Sequence, residues 1–174
     1  MALELIQTNT LVSSAGSIVF NTIPQTYETL WLKAQIQDSN GGLGRNDFRV
    51  AFNSDNTDGS GYYGKRMLFY DGNTRLGDIT GGGGGQGATH AMPQSGNGPR
   101  FTGIDFWIPN YTSTVYHKQM HSIGGYGANT NQVFLNLVSY NNSNNTQAIT
   151  SITFTAAGGL SFSANSKISL YGIK

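Results

Sequence analysis

Apolar and polar residues alternate along most of the chain, and a period of two is the mark of a strand with one buried face. Leu30, Leu32, Ala34 and Ile36 interleave with Trp31, Lys33, Gln35 and Gln37. Phe48, Val50 and Phe52 alternate with Arg49 and Ala51, and Ile104, Phe106 and Ile108 with Asp105 and Trp107. Val133, Leu135 and Leu137 repeat the pattern, followed by Ile152 and Phe154, then Ile168 and Leu170. Ser17–Phe20, Tyr62–Tyr70 and Val115–Ile123 are further strand candidates, for eight to ten strands in all. Between them stand turn clusters at Asp38–Gly42, Asn53–Gly61, Asp71–Asn73, Asn141–Asn145 and Ala156–Gly159, rich in residues that tolerate positive φ or bond their own backbone. No segment carries a 3.6-residue apolar stripe with caps, so little helix is expected. Many short strands at regular spacing predict an all-β fold, an antiparallel, jelly-roll-like β-sandwich.

Composition narrows the class further. A chain of 174 residues is one domain's worth, and no linker or internal repeat divides it, so a single domain over 1–174 is expected. Cysteine is absent, which excludes a disulfide framework and thiolate metal sites. Charged residues make up 11% of the chain, against about 25% in ordinary soluble domains, and the formal net charge is +1. That balance lacks the basic excess of a nucleic-acid binder. The start, Met1-Ala2-Leu3-Glu4-Leu5-Ile6, lacks the pattern of a secretory signal, and no apolar run approaches the roughly 20 residues of a membrane span. Synthesis in a cytoplasm, with no membrane partner, is the expectation. One segment stands apart: Gly77–Pro99, with five successive glycines, is expected to be a long loop. It would be a surface insertion, a segment ordered against a neighbouring subunit, or a ligand lid.

Motifs for chemistry are weak. Gly59-Ser60-Gly61-Tyr62-Tyr63-Gly64-Lys65-Arg66 has the spacing of a phosphate loop but carries Arg66 where Ser or Thr would hold magnesium, and no helix pattern follows. His117 and His121 have the spacing of a zinc-protease helix, yet Lys118 occupies the general-base position. On a strand they would stand roughly 13 Å apart, too far to share an ion, and His90 would be needed as a third ligand. Ser54–Gly59 resembles a calcium loop whose first and twelfth ligand positions hold Ser54 and Lys65, leaving Asp55 and Asp58 as donors and an Asx-rich turn as the preferred reading. Of nine scattered carboxylates only Asp105 lies in an apolar strand, so no acid–base pair is expected. Arg49 and Asp105 are expected to form a structural ion pair. The chain is therefore read as a non-enzyme without cofactor or metal. Aromatics are the better lead, because Trp31, Tyr62, Tyr63, Tyr70, Tyr111, Tyr126 and Tyr140 fall on polar strand faces or in loops, where such side chains serve protein interfaces or glycan platforms.

Several stretches carry a family resemblance. They are Ser17–Tyr27, Leu30–Leu32, Arg49–Asp55, Ile104–Tyr111, Ile149–Phe154 and the ending Lys167-Ile168-Ser169-Leu170-Tyr171-Gly172-Ile173-Lys174. Together they resemble small virion proteins, and terminal modules of larger ones, encoded by tailed bacteriophages of aquatic bacteria, with Ser-Leu-Tyr-Gly-Ile-Lys the most specific part. The resemblance implies a β-sandwich structural protein of the phage particle surface with no catalytic residues. For a short independent chain it implies a capsid decoration or cement protein, a trimer, clamping the major capsid protein non-covalently. The alternative it leaves is a tail or fibre protein that recognises the host through surface carbohydrate. A cement protein stabilises a shell because it binds only the assembled form, and arms that order on binding suit that task. Met1–Ser14, with Leu3, Leu5 and Ile6, and the glycine loop, with Gly83 and His90, are the candidate arms.

Overall fold

The computed structural model describes residues 2–42, 45–53, 62–70, 73–80, 88–98, 100–127, 133–142 and 146–174. Side chains are described for these except residue 45, 62–70, 73–80, 88–91, 97 and 133–142, where the backbone alone is used. The strands run β1 (Leu3–Thr10), β2 (Ser17–Phe20), β3 (Thr29–Ile36), β4 (Arg45–Phe52), β5 (Tyr62–Tyr70), β6 (Asn73–Thr80), β7 (Ala88–Pro93), β8 (Thr102–Pro109), β9 (Lys118–Gly127), β10 (Val133–Asn142), β11 (Ile152–Ala156) and β12 (Lys167–Ile173). Helix is confined, among the described residues, to two 3-10 turns at Ser95–Asn97 and Ala157–Gly159.

Two antiparallel sheets form, one ordered β1-β12-β3-β8-β9-β10-β5-β6 and the other β2-β11-β4-β7. Their connectivity is that of a jelly roll. The strands pair in nested fashion, β1 with β12, β2 with β11, β3 with β8 and β4 with β7, as in one long hairpin folded over on itself. Two hairpins are inserted into the roll: β5–β6 between β4 and β7, and β9–β10 between β8 and β11. Both extend the first sheet beyond β8. The expected all-β, jelly-roll-like sandwich is therefore the architecture observed.

Strict alternation builds the core. Leu30, Leu32, Ala34 and Ile36 of β3 and Ile104, Phe106 and Ile108 of β8 point inward, as do Ile168 and Leu170 of β12. They meet Phe48, Val50 and Phe52 of β4 and Ile152 and Phe154 of β11. Phe154 is the junction: its ring lies 5.6 Å from Phe106 across the sandwich and 6.3 Å from both Phe20 and Phe48 in its own sheet. Such edge-on and tilted aromatic pairs add to the area they bury.

The structure revises two expectations about segments. Residues 3–10 of the candidate N-terminal arm are an edge strand of the large sheet, with Leu3 opposite Ile173 and Thr10 opposite Lys167. Within Gly77–Pro99, the first residues complete β6, and Ala88–Pro93 pairs with β4 as β7. Gly83 lies outside the described residues. As expected, the phosphate-loop spacing at 59–66 runs into strand β5 and not a helix, so it has no helix N-terminus to offer an anion.

Candidate functional site

The outer face of the large sheet gathers several of the apolar side chains that the core leaves out, Leu3, Leu5 and Ile123 among them. Register places Leu5, Tyr171, Trp31, Trp107 and His121 directly opposite one another across β1, β12, β3, β8 and β9. Strands lie about 4.8 Å apart, so these five side chains form one continuous row. The next row carries Thr8, Ser169, Lys33, Asp105 and Ile123. Leu3 and Leu5 at one end and Ile123 at the other are 52%, 56% and 42% exposed.

Trp31 organises the middle of this face. Its ring centroid lies 5.3 Å from that of Tyr171 at a 34° tilt, and Lys33 Nζ sits 5.1 Å from the ring. Its indole N–H donates to Asp105 Oδ1 at 3.1 Å. Asp105 also stands opposite Lys33 in register, a pairing of opposite charges that supports adjacent strands. The expected Arg49–Asp105 ion pair does not form, because β4 and β8 belong to different sheets. Asp105 is thus an outer-face acceptor, not a carboxyl in an apolar pocket.

Of the interface candidates, Leu3, Leu5 and Trp31 share this face. Ile6 does not: it sits at the β-bulge between Leu5 and Gln7 and packs, partly buried, against the core. Tyr111 and Tyr126 are corrections as well. Tyr111 is fully buried, its hydroxyl donating to the Pro24 carbonyl, and Tyr126 points inward from β9. Neither is available to a partner at the surface of the chain. Tyr62, Tyr63 and Tyr70 on β5, His90 on β7 and Tyr140 on β10 have side chains outside the described set. The proposed calcium turn at 54–59 likewise lies outside the described residues.

Three surface aromatics escaped the sequence reading: Trp107 and Tyr171 in the row, and Tyr116 in the turn before β9. The first two were legible as outward positions of alternating strands, but their adjacency depends on register. Tyr116 is 68% exposed, beside Val115 at 73%. It borders a cleft of about 250 Å³ whose described lining is Pro109, Asn110, Tyr116, His117 and Gln119. His117 and His121 are both exposed, and no group of three His, Asp or Glu side chains among the described residues could hold a metal.

A buried lysine fastens the rim of that cleft. Lys118 is 2% exposed, and its ammonium donates to the carbonyls of Ser113, Tyr116 (3.2 Å) and Thr146 (3.3 Å). Burial lowers its pKa from the usual lysine range. Ser113 Oγ in turn accepts the N–H groups of Val115 and Tyr116, each at 3.1 Å.

Comparison with known proteins finds no family model, no curated protein and no solved structure that matches the chain.

Proposed function

We propose that the chain is a structural protein of a tailed-phage particle, a decoration or cement protein that clamps major-capsid subunits through the outer face of its large sheet. The observation that carries this reading is the row Leu5–Tyr171–Trp31–Trp107, an ordered strip of apolar and aromatic area on a sheet face that no element among the described residues covers. Aromatic side chains with a polar rim are what interface centres are made of. The family resemblance, strongest in the last six residues, supplies the kind of partner. A sparsely charged surface is consistent with a protein that works packed against neighbours. In this reading the chain has no catalytic role, acts as a trimer on the shell surface, and stabilises the shell by binding only its assembled form.

Shells built from the major capsid protein encoded alongside this chain provide the test. Purified protein should co-sediment with them and raise their melting temperature. Leu5→Asp and Ile123→Asp, both at exposed outer-face positions, should leave the fold intact and weaken that association. Failure to bind intact shells would overturn the proposal.

A further inference from the structure

The cleft beside Tyr116 is a better-built feature than a surface turn needs. Nine residues, Asn110 to Lys118, are fastened at several points: Ser113 N–H to the Asn110 carbonyl at 3.1 Å, the Ser113 hydroxyl to two backbone amides, and the Lys118 ammonium to three carbonyls. Removing an ammonium from water is costly, and here its donors hold a turn in place. Yet the turn so held turns Val115 and Tyr116 outward to solvent. Asn110 adds a backbone in the left-handed region (φ 50°) at the end of β8, a conformation that asparagine tolerates and that often marks functional turns. Rigid presentation of an exposed ring lowers the ordering cost of binding.

Lining chemistry selects the ligand. Tyr116 and Pro109 offer apolar ring surface. Asn110 and Gln119 offer carboxamides, each able both to donate and to accept, and His117 offers an imidazole. The described lining carries no carboxylate, ammonium or guanidinium, so the complement is an uncharged molecule with an apolar face and a hydroxyl edge. At about 250 Å³ the cleft has the volume of some eight waters at ~30 Å³ each, room for one sugar ring and its hydroxyls. We propose that this cleft binds a neutral pyranose, the ring stacked on Tyr116 and its hydroxyls held by Asn110, His117 and Gln119. The cleft borders the outer-face row, since Pro109 and Gln119 stand two residues along β8 and β9 from Trp107 and His121 on the same face, but it uses none of the row's five side chains and stands whether or not that row docks on a shell.

Methyl glycosides of glucose, galactose, mannose and N-acetylglucosamine, titrated into the isotopically labelled full-length chain, test this by amide chemical-shift mapping. At least one should bind with millimolar affinity and shift the amides of residues 110–119. Tyr116→Ala should weaken that binding about tenfold or more, Gln119→Ala should weaken it as well, and Tyr116→Phe, which keeps the ring, should retain it. Matching amide spectra away from the cleft show that each variant is folded. The proposal is overturned if no glycoside shifts these amides, or if Tyr116→Ala binds as well as the parent. It is overturned too if Tyr116→Ala affects only association with shells, which would make the turn a protein contact. Loss of shell binding by Leu5→Asp with glycoside binding intact would leave the two sites independent, as proposed.

Discussion

Gly172 is the most tightly constrained position of the last strand's close packing. It points inward from β12, and a Cβ there would run into the ring of Tyr27. Around it, Ser169 bonds Thr8 at 2.9 Å, Leu170 enters the core, and Tyr171 packs on Trp31. Lys174 closes the cluster, 5.3 Å from the Tyr27 ring and 3.5 Å from Glu4. Gly172→Ala should therefore destabilise the protein by roughly 1–3 kcal/mol through overpacking. A double-mutant cycle with Tyr27→Leu, read by urea denaturation, should recover part of that loss; independent effects would refute the clash. Tyr111 supplies a second test. Burial raises its hydroxyl above the ordinary tyrosine value, so the folded state keeps a proton that the unfolded chain releases from about pH 10 upward. Stability from this group is complete below that pH and falls as pH rises through the folded value. Tyr111→Phe should lose about 1 kcal/mol at neutral pH with the bond to Pro24, and its stability should decline less steeply above about pH 10. Equal alkaline slopes in denaturant titrations of the two proteins would contradict this.

Phe154 stands where elements meet, joining β2, β4 and β11 in one sheet to β8 in the other. Phe154→Ala should cost about 3–5 kcal/mol, because a cavity at the centre of two facing sheets cannot collapse from either side. Calorimetry showing under 1 kcal/mol would mean that the sheets do not face each other there. The inward positions of β3, β4, β8, β11 and β12 were all legible in the sequence, since burial on one face imposes strict alternation. β1 was not, for a physical reason. The bulge between Leu5 and Gln7 breaks the period of two, so Leu3, Leu5 and Ile6 read as an irregular arm. β7 was hidden among glycines because Ala88–Pro93 is short and draws its pairing from β4. Tyr111 misled for the opposite reason: it follows the end of β8 in a turn, where no periodicity says which way a side chain points. The outer row itself was out of reach, because cross-strand adjacency lives in register, which no single strand's pattern contains.

At the scale of the whole molecule, the nested pairing brings the two ends of the chain together. β1 and β12 are neighbours, and the Lys174 N–H donates to the Ala2 carbonyl at 3.1 Å. The first strand to be made thus waits for the last, and a roll whose outermost pair is also its longest-range contact should fold slowly, in milliseconds to seconds. Joining the ends removes that wait. A circular permutant with a short Gly/Ser linker from Lys174 to Ala2 needs new termini at an exposed turn. Gly158–Gly159 provides one, with φ values of 68° and 74° and open space around both α-carbons. New ends there separate β11 from β12, which lie in different sheets and do not pair, while β1–β12 becomes a local hairpin. Such a permutant should keep the β-rich circular dichroism spectrum of the parent and refold faster, since its longest loop closure has been made covalently. A permutant that stays unfolded, while the uncut chain carrying the same linker sequence at its C-terminus folds, would show that β1 does not lie beside β12 and would undo the jelly-roll order on which the outer row depends.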